Sequence, residues 1–195
     1  IKPIQKGKAQ LTCSFMEELE QNTFTGEVLN ISMKFKTTVF DKYRNGDSIY
    51  TCHTARGFSK KLYKEIIFKD SIGEDAYSYL YTVFNKYRYS YVNSTKAFYR
   101  LPSNYKDHER QSIRFLQSKK KFIKEFGEEF VNENYYLPLG LLTAAAMRFL
   151  VRYPFHMFLY IFIYLGIKIK SLFASKISDN WEISTSSKIL RINSL

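Results

Sequence analysis

Two adjacent carboxylates, Glu74 and Asp75, follow Gly73 at the start of a helical stretch. Gln111 and Arg114 sit three residues apart further on, so they share one face of a second helix. A carboxylate at a helix N-terminus is kept ionised by the helix dipole, and an ionised carboxylate can take a proton from a hydroxyl nucleophile. The same pair is also ordinary helix-start chemistry. An arginine holds phosphate oxygens in a forked contact, and a glutamine side chain can hydrogen-bond a hydroxyl. Phe115, beside Arg114, offers a flat apolar wall; the three together equally describe a polar helix face beside a core phenylalanine. The chemistry these residues suggest is proton removal beside an anionic leaving group. Arg56 is a further candidate for the cleft, with a surface ion pair as the plain alternative.

Several elements must position these residues. Leu11 to Phe15 reads as a strand reached by a loop. Met16 to Arg44 reads as helix, broken near Thr23–Gly26, and Asn45-Gly46-Asp47 is a turn signal. Ser48 to Cys52 is short and partly β-branched, which suggests a strand. Ser59 is placed to cap a helix over Lys60–Ile67. Ile72-Gly73 closes a loop, and the helix opened by Glu74 runs to about Lys86, with Leu80, Val83, Phe84 and Tyr87 at helical spacing. Tyr89–Val92 and Thr95–Tyr99 read as two strands separated by Asn93-Ser94. Pro102 stops the second, and Asn104 or Asp107 caps a long helix to about Phe126 whose Lys119-Lys120-Lys121 run suits a solvated face.

The chain has 195 residues, 45% of them hydrophobic and 17% aromatic, which excludes a disordered tail and supplies a core. Its net charge of +12 is spread along the sequence, with the last third the least balanced. A spread excess points to an anionic surface more than to a nucleic-acid groove, although single-strand binders also mix Tyr, Phe and Lys. Cys13 and Cys52 lack metal-type spacing and read as buried free thiols in a reducing compartment. His53, His108 and His156 have no metal-like spacing either and read as structural.

Between Glu133 and Lys168 the only formal charges are Arg148 and Arg152. The uncharged run Tyr153–Ile167 spans about 22 Å as a helix, short of a ~30 Å hydrocarbon core. Extended by Phe149–Arg152, with Arg152 reaching back to the interface, it becomes a marginal spanning helix. An in-plane membrane hairpin and a buried core helix are the alternatives. Pro154 fits a helix start, Lys168, Lys170 and Lys176 suit a cytoplasmic face, and the ring of Trp181 suits a membrane interface or simple packing.

Four features in order resemble the C-terminal half of a family 2 glycosyltransferase of GT-A fold, continued into its membrane-associated tail. They are Ala55-Arg56-Gly57-Phe58-Ser59 with Leu62-Tyr63; Gly73-Glu74-Asp75-Ala76-Tyr77; Tyr91 to Pro102 with Ala97, Tyr99 and Arg100; and Gln111-Ser112-Ile113-Arg114-Phe115, similar to the family's Gln-x-x-Arg-Trp. The resemblance implies an α/β fold: an incomplete GT-A-like mixed sheet with flanking helices, followed by C-terminal hydrophobic membrane-associated helices. It implies a partial catalytic domain over residues 1–133 and a membrane-associated helical tail over 134–195. It also implies sugar transfer from a nucleotide-sugar donor to a lipid-linked or polysaccharide acceptor, with inversion. Asp75 would be the general base, Glu74 its acidic neighbour, and Gln111 and Arg114 would lie near acceptor and pyrophosphate. Nucleic acid is not an expected partner.

The family normally uses a divalent metal, Mg or Mn, held by an Asp-x-Asp pair. No Asp-x-Asp occurs in this sequence, so metal and donor ligands are expected upstream of Ile1 and the chain alone is expected to be inactive. Phe115 stands where the family has tryptophan, which argues against the processive synthases. A non-catalytic basic membrane-binding module and a single-stranded nucleic-acid binder are the competing readings.

Overall fold

Leu11, Thr12 and Cys13, in the central strand of the sheet, are almost wholly buried. In the computed structural model, which describes residues 1–53, 55–68 and 73–173, a short helix α1 (Lys2–Gln5) leads into β1 (Leu11–Glu18) and α2 (Phe24–Lys42). There follow β2 (Arg56–Phe58), α3 (Lys60–Glu65), α4 (Glu74–Phe84), β3 (Tyr89–Tyr99), α5 (Tyr105–Phe126), α6 (Glu128–Tyr135), α7 (Leu139–Arg152) and α8 (Pro154–Phe173). The sheet order is β2-β1-β3, with β1 antiparallel to β2 and parallel to β3. A parallel pair needs a long crossover, and the chain between β1 and β3 supplies it through α2 to α4. The result is a mixed α/β architecture, a small three-stranded mixed sheet with flanking helices. Its core packs Leu11 and Cys13 of β1 against Tyr79 and Leu80 of α4, Leu62 of α3 and Phe122 of α5.

Where the predicted start of an element rests on a local cap, the structure places it close by. Ser59 Oγ accepts from the Leu62 amide at 3.2 Å, and Asn104 Oδ1 accepts from the Asp107 amide at 2.9 Å. Other expectations are corrected. Met16–Glu18 is strand, not helix: these residues pair with Ala97–Tyr99, Lys96 bridges to Glu17 at 2.7 Å, and the helix begins only at Phe24, where Thr23 Oγ1 caps the Gly26 amide at 3.1 Å. Ser48–Cys52 is not a strand. Ile49–Thr51 form a 3-10 turn, because the Thr51 hydroxyl folds back onto the carbonyls of Gly46 and Ser48. The two strands predicted over 89–99 are one, β3. Its register against β1 jumps from Ser14–Val92 to Phe15–Lys96, so Asn93, Ser94 and Thr95 form a bulge and not a turn.

α6 carries the chain past Glu133, and α7 and α8 then fold back onto the preceding elements. Phe149 of α7 meets Phe35 of α2 edge-on at 5.8 Å, and Phe155 of α8 meets Phe24 at 6.2 Å. α8 opens with Pro154, as the sequence suggests. Its 20 residues are long and apolar enough to cross a membrane, by length and composition. Thr54, the segment 69–72 that includes Ile72, and the tail with Lys176 and Trp181 lie outside the described residues.

Burial leaves a pH signature. His53 and His108 are both lowered to about 4, chiefly by desolvation and, at His108, also by Lys36. Below their ordinary 6.5 the unfolded chain therefore binds protons that the folded protein refuses, and stability falls as pH drops from 6.5 towards 4. With allowance for partial exposure, the combined loss should be on the order of 2 kcal/mol. Glu18 and Asp41, both raised by burial, act in the opposite sense just above the ordinary carboxylate range. Urea midpoints measured across that window test this: a His53→Gln/His108→Gln variant should flatten the slope, and an unchanged slope would rule the histidines out as its source.

Candidate active site

Gly73 sets the geometry of the Glu74-Asp75 pair. It precedes α4 in the left-handed region, at φ +91. A Cβ there would lie 3.4 Å from the Ser118 Cβ and the tip of the Phe122 ring, so the start of α4 abuts α5 about one turn beyond Arg114. Those contact distances are ordinary, and the cost of a side chain is therefore mainly backbone. Gly73→Ala should destabilise by about 1–2 kcal/mol in urea unfolding; a loss below a few tenths would mean that the chain does not enter α4 through this conformation.

β2 brings the third member. Arg56 pairs across the sheet with Cys13 of β1, and its side chain is only 11% exposed. Its Nη2 lies 3.2 Å from Asp75 Oδ1 and 3.8 Å from Glu74 Oε2. Its Nη1 donates to Ser78 Oγ at 2.7 Å, and Ser78 Oγ in turn donates to the Glu74 carbonyl at 2.7 Å. The guanidinium also sits 5.8 Å from the centre of the Phe58 ring. A half-buried carboxylate pair at the positive end of a helix is thus held by one buried cation. The sequence offers Arg56 as a cleft-lining or surface residue; the structure makes it an internal partner of the carboxylates.

Asp75 sits higher than an ordinary carboxyl. Burial pushes it up, Arg56 pulls it down, the neighbouring Glu74 pushes up again, and Arg114 of α5 pulls down, with a net rise. Its side chain nevertheless keeps 43% of its surface, so an incoming hydroxyl can reach it. Arg56, Glu74, Asp75 and Arg114 therefore share one electrostatic neighbourhood. Gln111 lies exposed on α5. Phe115 is also exposed, and its ring lies 6.3 Å from that of Tyr135, on α6. No contact of either with the carboxylate pair is seen among the described residues.

Sequence reasoning passed over Ser78. Its spacing from Glu74 and Asp75, at i+4 and i+3, was the signal that could have found it. Beneath the pair, Cys13 Sγ and Cys52 Sγ are both buried and free, 3.5 Å apart. The thiol of Cys52 is pushed up by burial.

The family resemblance implies a divalent cation held by an Asp-x-Asp pair, which this sequence does not contain. Among the described residues no three His, Cys, Asp or Glu side chains converge as metal ligands do. The Glu74-Asp75 pair is directed at the guanidinium of Arg56.

No protein-family model matches the chain, and no curated protein matches it.

Proposed function

We propose that this chain forms the acceptor side of a glycosyltransferase that moves a sugar from a nucleotide-sugar donor to a hydroxyl acceptor with inversion. The observation that carries the reading is the Asp75 carboxylate, half-exposed at the α4 N-terminus and held 3.2 Å from the buried Arg56 guanidinium. A neutral hydroxyl is a poor nucleophile near neutral pH, so a base aligned with it is worth having. In the proposed step the acceptor oxygen attacks the anomeric carbon and a new C–O bond forms. The bond to the nucleotide diphosphate breaks, the leaving group keeps the electron pair, and Asp75 takes the hydroxyl proton. Arg114, which adds positive potential at Asp75, is the residue that the resemblance assigns to the leaving pyrophosphate. Arg56 acts through Asp75 and is a positioning residue.

The long apolar α8 supports a membrane-associated protein whose acceptor is a lipid-linked or polysaccharide hydroxyl. Lys168 and Lys170 near its end support a cytoplasmic orientation of the catalytic part. The test is transfer of a labelled sugar by the intact gene product, assayed in membranes with a panel of nucleotide-sugars. Label entering lipid or polymer supports the reading. Free sugar released at the same rate with and without acceptor would point to a hydrolase, and absence of any turnover across the panel would count against the enzyme.

A further inference from the structure

α8 is apolar on both of its sides. Its inner side packs on α2 and α5, where Met157, Tyr160 and Ile167 are buried. That docking is reinforced by the Lys36 ammonium, 5.1 Å above the Tyr160 ring, and by Lys170 Nζ, 2.7 Å from Glu109 of α5. The outer side is the row Phe155, Phe158, Phe162, Leu165, Ile169 and Leu172, spaced alternately by three and four residues. Each is exposed, from 47% at Leu165 to 73% at Leu172. A surface helix ordinarily turns a polar face outward; six large apolar side chains in one row along a helix about 30 Å long mark a surface built to be covered.

We propose that this row lies in the plane of an anionic lipid bilayer, with α8 parallel to the membrane surface and not across it. The proposal rests on the membrane association inferred above and not on the chemistry at Asp75. Crossing the bilayer would require α8 to leave α2 and α5 and to break the Lys170–Glu109 bridge. Lying flat keeps both and buries only the outer row, which is how in-plane helices bind. Residues 136–173 carry Arg148, Arg152, Lys168 and Lys170 and no Asp or Glu. Lys170 is paired with Glu109, but Arg148, Arg152 and Lys168 leave this region basic, which anionic headgroups complement and a second copy of the same region does not.

The full chain should cosediment with phosphatidylcholine vesicles containing one-third phosphatidylglycerol, and bind pure phosphatidylcholine about tenfold more weakly. Alkaline carbonate should release it. A Phe158→Glu/Phe162→Glu/Leu165→Glu variant alters only the outer row; it should keep its circular dichroism and lose at least about tenfold in vesicle affinity. Carbonate-resistant binding would overturn the in-plane geometry while leaving membrane association standing. Failure to bind either vesicle would overturn the association itself. Lipid-free dimers that the triple variant abolishes, with no vesicle binding, would assign the row to a second copy. Sugar transfer to a soluble acceptor in detergent reads the Asp75 chemistry independently of all three.

Discussion

Asp75→Asn should lower sugar transfer by about a hundred- to ten-thousand-fold, the usual contribution of a positioned general base, while donor binding stays measurable. Asparagine keeps the shape of the side chain, and its amide oxygen can still accept from Arg56 Nη2, 3.2 Å from the carboxylate oxygen it replaces. What it loses is the ability to take the acceptor's proton. The helix start should survive, because the left-handed Gly73 and the α4–α5 contact do not depend on the charge. Glu74→Gln is the matched control. Glu74 is paired less closely with Arg56, at 3.8 Å, and its side chain is 49% exposed, so its loss should cost less than about tenfold. Turnover by Asp75→Asn at the wild-type rate, with the protein folded, would remove Asp75 from the role of base. Equal losses in the two variants would mean that the pair acts only through its joint charge.

The elements that the sequence made legible are those governed by neighbours in the chain. Ser59 and Asn104 announce their helices because the cap closes within three residues. Gly73 announces α4 because only a residue tolerant of positive φ fits there. The strands were harder. Arg56-Gly57-Phe58 has no strand-like composition and becomes β2 only because Leu11–Cys13 lies beside it. Met16–Glu18 reads as the start of a helix, yet pairing with Ala97–Tyr99 across the Asn93–Thr95 bulge makes it strand. Such pairings join residues far apart in sequence, and local pattern carries no record of them. The site divides in the same way. Glu74 and Asp75 were visible from their position at a helix start. That Arg56 is their counter-ion, and that Ser78 locks it, required β2 to be placed over the first turn of α4. Spacing and the likeness to Gln-x-x-Arg-Trp group Gln111 and Phe115 with Arg114, but of the three Arg114 is the one whose charge bears on Asp75. α8 was legible as apolar, while its docking on α2 and α5, which decides how it can meet a membrane, was not.

Arg56→Ala should move the acid limb of the pH profile for kcat/KM to higher pH. The sign follows from the groups around Asp75. Burial and Glu74 both push its pKa up, and Arg56 is the stronger of the two cations pulling it down. Without Arg56 the folded-state pKa rises further, Asp75 holds its proton to higher pH, and a protonated carboxyl cannot act as base. Activity near neutral pH should fall by about ten- to a hundredfold and recover in part as the pH is raised. Stability should fall as well, by about 1–3 kcal/mol, because the Ser78 hydroxyl loses its donor and two adjacent carboxylates lose their shared counter-ion. Arg56→Lys separates these effects. An ammonium preserves the charge that pulls Asp75 down, but it cannot reach Asp75 and Ser78 as the forked guanidinium does. The acid limb should therefore return towards its wild-type position while part of the stability loss remains. A uniform drop in activity at every pH, with the limb unmoved, would make Arg56 a purely structural residue. A shift of the limb that lysine reverses would establish it as the group that sets the charge of Asp75.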